Sequence, residues 1–213
     1  MILDEKLTSS KLTVYTGYSN HGWLALVNDG FGRGFKICNW CGWAEPVELA
    51  PGLKGTTKHN NPLTGKPCNG GTKAYHLGHR FMTDVLEISL DGSHKLLHGR
   101  SSMMSLLYAL LDGASDALGI RRDDVDGTLF YKDFRKPPHM ILYDTVPGGA
   151  GHVERINNKL LIVAESALKK VSSCECGEDT SCYNCLRNYR NQFYHDDLQR
   201  GMAVKLLEAM LNK

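Results

Sequence analysis

Cys174, Cys176, Cys182 and Cys185 fall in the order C-x-C-x5-C-x2-C, and a run rich in arginine and aromatic residues follows at once, from Leu186 to His195. A tetrahedral metal needs four soft or borderline donors, and short spacings between cysteines let the backbone turn around a single ion. The pattern predicts a closed, structural Zn2+ site, with no ligand position left for a reacting water. A second group opens with Cys38-Asn39-Trp40-Cys41-Gly42, which has the form of a zinc knuckle, and Cys68 lies farther along the same stretch. His59, His76 and His79 compete to be its fourth ligand. His59 sits in the polar loop between Cys41 and Cys68, where a clamp would fix the most chain, whereas His76 and His79 lead into a strand. Cys38, Cys41, His59 and Cys68 are therefore the expected second Zn2+ site. The alternative leaves Cys38 and Cys41 as a reduced, metal-free pair in a turn.

Compartment and charge agree with thiolate–metal chemistry. Seven cysteines are an odd number, and two pairs have C-x2-C spacing, which favours a reducing environment over a disulfide framework. The start, Met1-Ile2-Leu3-Asp4-Glu5-Lys6, has neither the basic nor the apolar part of a signal peptide. No run approaches the roughly 18 apolar residues of a membrane helix, so a cytoplasmic protein without a membrane partner is expected. The net charge of +2 gives only a weak overall field, so any contact with nucleic acid must come from a local patch.

The segment after the last cysteine is the first place to look for such a patch. Arg187, Tyr189, Arg190 and Phe193 alternate planar cations with aromatic faces. Arginine forks onto phosphate and aromatic rings stack on bases, a combination that suits single-stranded DNA. The competing reading packs Tyr189, Phe193 and Tyr194 against the core, while the arginines offset the negative charge of a four-thiolate zinc site.

Catalytic patterns are weak by comparison. Pro147-Gly148-Gly149-Ala150-Gly151 joins a strand ending in Asp144 to a helix, a place where backbone amides can meet an anion. It is not a phosphate-binding P-loop, and a tight crossover that needs positive φ explains the glycines equally. Asp84 and Glu87 invite a metal-nuclease reading, but residues three apart on a strand point to opposite faces. Asp144 and His152 form a conceivable acid–base pair, though a capping aspartate is commoner. Neither G-x-S-x-G nor H-E-x-x-H occurs, and the chain is read as a non-enzyme.

The elements that must position these residues follow from periodicity. Two short strands, 12–15 and 23–27, are expected around a Gly/Ser/Asn turn, and glycine-rich turns follow at 28–30 and 32–34. Residues 35–75 are irregular and need a staple to be ordered. A strand over 84–90, a helix over 101–118 capped by Gly119, and strands at 128–131 and 140–143 come next. One helix over 152–171 and a final amphipathic helix complete the set. The expected class is α+β (mixed α/β), a small sheet with about three amphipathic helices and zinc-stapled irregular segments. The domain division expected is 1–80, the N-terminal strands and knuckle, and 81–213, the core with its four-cysteine lobe.

Three blocks besides the last knuckle occur in a suggestive order: Gly34-Phe35-Lys36-Ile37-Cys38-x2-Cys41-Gly42, Gly78-x2-Phe81-x-Thr83-Asp84-Val85-Leu86, and Leu142-Tyr143-Asp144-Thr145-Val146-Pro147-Gly148-Gly149-Ala150-Gly151. With the four-cysteine knuckle they resemble the C-terminal zinc-binding domain of mitomycin-repair-type superfamily 2 helicases, also found in the helicase-partner subunit of DISARM phage defence. The resemblance spans roughly residues 31–211. It implies a zinc-stabilised accessory domain working with an ATP-driven DNA translocase in repair or defence, with Cys174, Cys176, Cys182 and Cys185 as metal ligands. The chain lacks a motor and any ATPase motif, so it is expected to serve a helicase in cis or in trans. A protein–protein scaffold and a cryptic metal-dependent nuclease or hydrolase are the alternatives.

Overall fold

The computed structural model describes residues 2–30, 32–47, 58–133 and 135–213. The chain divides into two compact units, one of residues 1–22 with 82–213 and one of residues 23–81. The first twenty-two residues thus belong with the larger unit. The middle of the expected irregular stretch, residues 48–57, lies outside the described residues.

The larger unit is built on a five-stranded sheet. Its strands are β1 (Asp4–Thr8), β2 (Leu12–Asn28), β8 (Leu77–Gly92), β9 (Val125–Phe130) and β10 (His139–Asp144), in the order β1-β2-β8-β10-β9. The pairs β1–β2, β8–β10 and β9–β10 are antiparallel. Alternation sorts the faces: Leu12, Val14, Leu86, Ile88, Leu90, Met140 and Leu142 join the buried core, whereas Glu87, Ser89, His139 and Ile141 take the intervening positions. The helices α1 (Arg100–Leu118), α2 (His152–Asn158), α3 (Leu160–Ser172) and α4 (Arg200–Leu211) supply the rest of that core. α1 is buried almost all round, from Met103 to Ala114, because it lies among α3, α4 and β9. Its buried serines are bonded: Ser102 Oγ donates to the carbonyls of Leu96 and Gly99, and Ser105 Oγ accepts from Gln199 N–H at 2.9 Å. Gly119 ends the helix at φ 62°, as its sequence position predicts.

Two expectations are corrected. No turn separates residues 12–15 from 23–27: β2 is one seventeen-residue strand. Gly22 is there for close approach, since a Cβ at that position would drive into the Val85 side chain and the Thr83 carbonyl. The helix expected over 152–171 is broken at Lys159 (φ −124°, ψ 27°), whose N–H closes α2 onto the carbonyls of Arg155 and Ile156. Continuity of apolar spacing from Ile156 to Leu160 hides the break, because both residues are buried on either side of it.

Among its described residues the smaller unit has short elements of its own. β3 (Phe35–Cys38) lies between β4 (Ala44–Pro46) and β7 (Thr72–Tyr75), and β5 (His59–Asn60) pairs with β6 (Pro67–Cys68). The fold is α+β, with one principal sheet, four α-helices and two cysteine-rich groups among the described residues.

Candidate metal centres and the glycine loop

Each cysteine group is assembled by local hydrogen bonding within a single unit. In the smaller unit, Gly42 (φ 72°) returns its N–H to the Cys38 carbonyl at 3.0 Å, which closes the knuckle turn. The Cys38 sulfur accepts from Trp40 N–H at 3.4 Å, and the Cys68 sulfur accepts from Gly70 N–H at 3.3 Å. The β5–β6 ladder sets His59 directly opposite Cys68. One donor atom from each of Cys38, Cys41, His59 and Cys68 lies within 4.8 Å of the others. His59 is buried and stacks on Trp43, with ring centroids 4.7 Å apart. Of the rival histidines, His76 is exposed and His79 stacks on Phe81.

In the larger unit, Cys174, Cys176, Cys182 and Cys185 form the second group. The N–H groups of Cys185, Leu186 and Arg187 all converge on the Cys182 carbonyl at 3.0–3.1 Å, and Cys182 N–H reaches the Cys185 sulfur at 3.2 Å. Arg200 secures the lobe by donating to the carbonyls of Cys176 and Val171. Cys185 and Leu186 are fully buried, so this knuckle is continuous with the hydrophobic core.

The donor sets fit zinc. A tetrahedral ion with Zn–S bonds near 2.3 Å places its sulfurs about 3.8 Å apart. The observed separations are 3.5 Å for Cys174–Cys182, 3.6 Å for Cys174–Cys176, 3.7 Å for Cys176–Cys185 and 3.9 Å for Cys182–Cys185. Cys38 and Cys68 are 3.8 Å apart, far beyond a disulfide, and all seven cysteines are free thiols. Without metal the thiols are uneven. The Cys176 N–H leads the interactions that hold Cys174 down to about 7, while burial pushes Cys185 up. Zn2+ would deprotonate such donors and hold them as thiolates.

The glycine loop has a different role. Asp144 is fully buried, and its carboxylate accepts from the N–H groups of Ala150, His152 and Val153 at 2.7–3.0 Å. Asp84 accepts from Gly151 N–H at 2.8 Å. Gly149 (φ 78°) has no room for a side chain, since a Cβ would meet the Asp84 carboxylate. The loop amides are thus occupied by the protein's own anions, which gives α2 its N-terminal cap. Burial, followed by the charge of Asp84, pushes Tyr18 up to about 12, and this phenol bonds Asp84. Asp144 thus spends its carboxylate on three backbone N–H groups, and His152 Nε2 lies 3.9 Å from Asp124.

Asp84 and Glu87 part company as their spacing predicts. Glu87 is a buried carboxylate bonded to Lys132 Nζ and His139 Nδ1, each at 2.5 Å, and Ser89 Oγ lies 3.4 Å from His139 Nε2. Sequence reasoning missed this network. Its members are 45 and 52 residues from Glu87 in sequence, His139 on β10 beside β8 and Lys132 in the connection that precedes β10.

The arginine–aromatic segment is part structure, part surface. The Arg187 guanidinium donates to Ser181 Oγ, Thr180 Oγ1 and the His195 carbonyl. Arg190 pairs with Asp123 at 3.2 Å. Tyr194 packs against the core, but Tyr189 and Phe193 are 83% and 78% exposed.

With this geometry in view, residues 106–186 match the profile of the MrfA Zn-binding domain, a span that ends one residue past Cys185. Over an alignment of 207 positions that covers 86% of the chain, it is 30% identical to the Druantia protein DruE of Escherichia coli (strain UMEA 4076-1). A crystal structure of the DUF1998 helicase MrfA bound to DNA superposes over 99% of the chain with a TM-score of 0.54 and 17% identity, a likeness of fold. The chain spans 11% of DruE and 24% of that MrfA chain, a small part of each. With two cysteine-rich groups able to hold Zn2+, the chain is similar over residues 106–186 to the zinc-binding domain of MrfA. Among the described residues no helix is long and apolar enough to cross a membrane.

Proposed function

We propose that this MrfA-type domain is a non-catalytic accessory module of a cytoplasmic superfamily 2 helicase in DNA repair or phage defence, joined to the motor in cis or supplied in trans. Its eight zinc ligands are Cys38, Cys41, His59, Cys68, Cys174, Cys176, Cys182 and Cys185. In this reading the C-terminal lobe contacts single-stranded DNA through Tyr189 and Phe193, with Arg190 and Arg187 beside them. The observation that carries it is the exposure of two large aromatic rings on a lobe whose backbone is stapled by four cysteines. Rings held on a rigid support stack on bases at little cost in conformational entropy. The Arg190–Asp123 pair is half exposed on both sides, and such surface pairs are weak enough to exchange for phosphate. Arg187 mainly shapes the lobe.

Fluorescence anisotropy with a labelled oligothymidylate tests the reading. Tyr189→Ala and Phe193→Ala should each weaken binding by about 1–3 kcal/mol, the usual loss for one stacked base. Wild-type affinity in both variants would assign the rings to a protein partner, the scaffold alternative.

A further inference from the structure

The distribution of unpaired charge points to a second locus. The unit of residues 23–81 holds seven Lys or Arg against three Asp or Glu, a net of +4, while the remainder holds 18 against 20, a net of −2. The larger unit neutralises many of its cations internally: Arg100, Arg122, Lys132, Lys170 and Arg190 are all ion-paired. In the smaller unit, Lys36 with Glu45 is the sole ion pair among the described residues. Arg33, Lys58, Lys66, Lys73 and Arg80 form none there. An uncompensated field of this kind attracts a polyanion.

Aromatic faces accompany that charge. All three tryptophans of the chain lie in this unit. Trp23 is 62% exposed on β2 and Trp40 is 77% exposed in the knuckle turn. The Arg80 guanidinium on β8 sits 4.6 Å from the Trp23 ring centroid. This pair offers a flat, cationic platform, able to stack on a base and pair with a phosphate together. Unpaired cations together with solvent-facing indoles are the combination by which single-stranded nucleic acids are held without sequence preference.

We infer that the smaller, N-terminal zinc unit is itself a single-stranded DNA-binding site, with Trp23–Arg80 as its stacking platform and Lys58, Lys66 and Lys73 as the groups that meet phosphate. This rests on the proposal that the chain works on DNA, but uses none of the residues in the C-terminal lobe. Within this unit, Trp23–Arg80 supplies the stacking face and the lysines supply the salt-dependent attraction.

Titration of the full chain with oligothymidylate at several salt concentrations, read by both anisotropy and tryptophan emission, tests it. Binding should quench the tryptophans, and Trp23→Ala should weaken it about five- to a hundredfold. Changing Lys58, Lys66 and Lys73 together to Gln should make the slope of log affinity on log salt shallower by about 0.7 for each phosphate that a lysine no longer neutralises. Zinc content and helical circular dichroism, unchanged, would show that these variants are folded. Binding that survives both changes with an unaltered slope, yet falls in Tyr189→Ala, would overturn this site and leave the lobe's role intact. Wild-type chain that ignores oligothymidylate at low salt would overturn both readings. Polyglutamate that binds the unit while DNA does not would assign its charge to an acidic protein.

Discussion

At the residue scale, the two metal groups are distinguished by what surrounds the ligands. Cys185 is buried beside Leu186 in the main core, so losing its thiolate loosens a seam of that core along with the lobe. Structural zinc contributes on the order of 10 kcal/mol or more to folding. Cys185→Ser should therefore lower the zinc content by about one ion per chain and destabilise the helical unit itself, measured by elemental analysis with thermal melts. His59→Ala should also remove about one ion, but leave the helical melt in place, because its ligands and neighbours lie in the smaller unit. Glu87 makes a second prediction. Burial would raise its carboxyl, yet the bonds and charges of Lys132 and His139 outweigh this and hold it below the usual value of 4.5. A carboxyl depressed in the folded state stabilises the fold above its unfolded pKa, and that contribution disappears as pH falls through the folded one. Urea midpoints should decline with acid below about pH 4.5, and Glu87→Gln should flatten that decline.

At the scale of elements, glycines separate what spacing can and cannot reveal. Gly119 and the loop glycines at 148, 149 and 151 take positive φ where turn chemistry predicts it. Gly22 reads as part of a turn but lies inside a strand, because its partner is Val85, a residue sixty-three positions away. Gly22→Val should cost about 1–3 kcal/mol by overpacking, seen in urea unfolding, whereas a true turn at that point would tolerate the change better. Asp144 shows the converse. Its place before a glycine-rich helix start suits either a cap or a base, and three N–H bonds make it a cap. Asp144→Ala would strand those amides and cost about 3 kcal/mol in the same measurement. The break at Lys159 is illegible in the sequence because helical periodicity continues through a single non-helical residue, with Ile156 and Leu160 buried on either side of it.

At the scale of the whole molecule, the two units have separate spectroscopic signatures. All four helices belong to the larger unit and all three tryptophans to the smaller. Among its described residues the smaller unit has three-residue and four-residue strands and a two-residue ladder of its own, little regular structure to stand without a clamp. A double His59→Ala, Cys68→Ser chain should consequently show red-shifted tryptophan emission while keeping its helical circular dichroism. Simultaneous loss of both signals would mean that the units fold as one.

The sequence by itself determined the metal chemistry and the class of fold. Donor type and short spacing are local properties, fixed by bond lengths and turn geometry, and so are helical periodicity and the left-handed glycines. The structure does bring His59, the histidine inside the loop, to Cys38, Cys41 and Cys68. Tertiary structure decided where charge is compensated. Whether Arg190 meets Asp123, or Glu87 meets Lys132, depends on strand register and helix packing across tens of residues. Coulomb energy acts through space, and a nearly neutral composition gives no hint that the excess positive charge gathers on the smaller zinc unit.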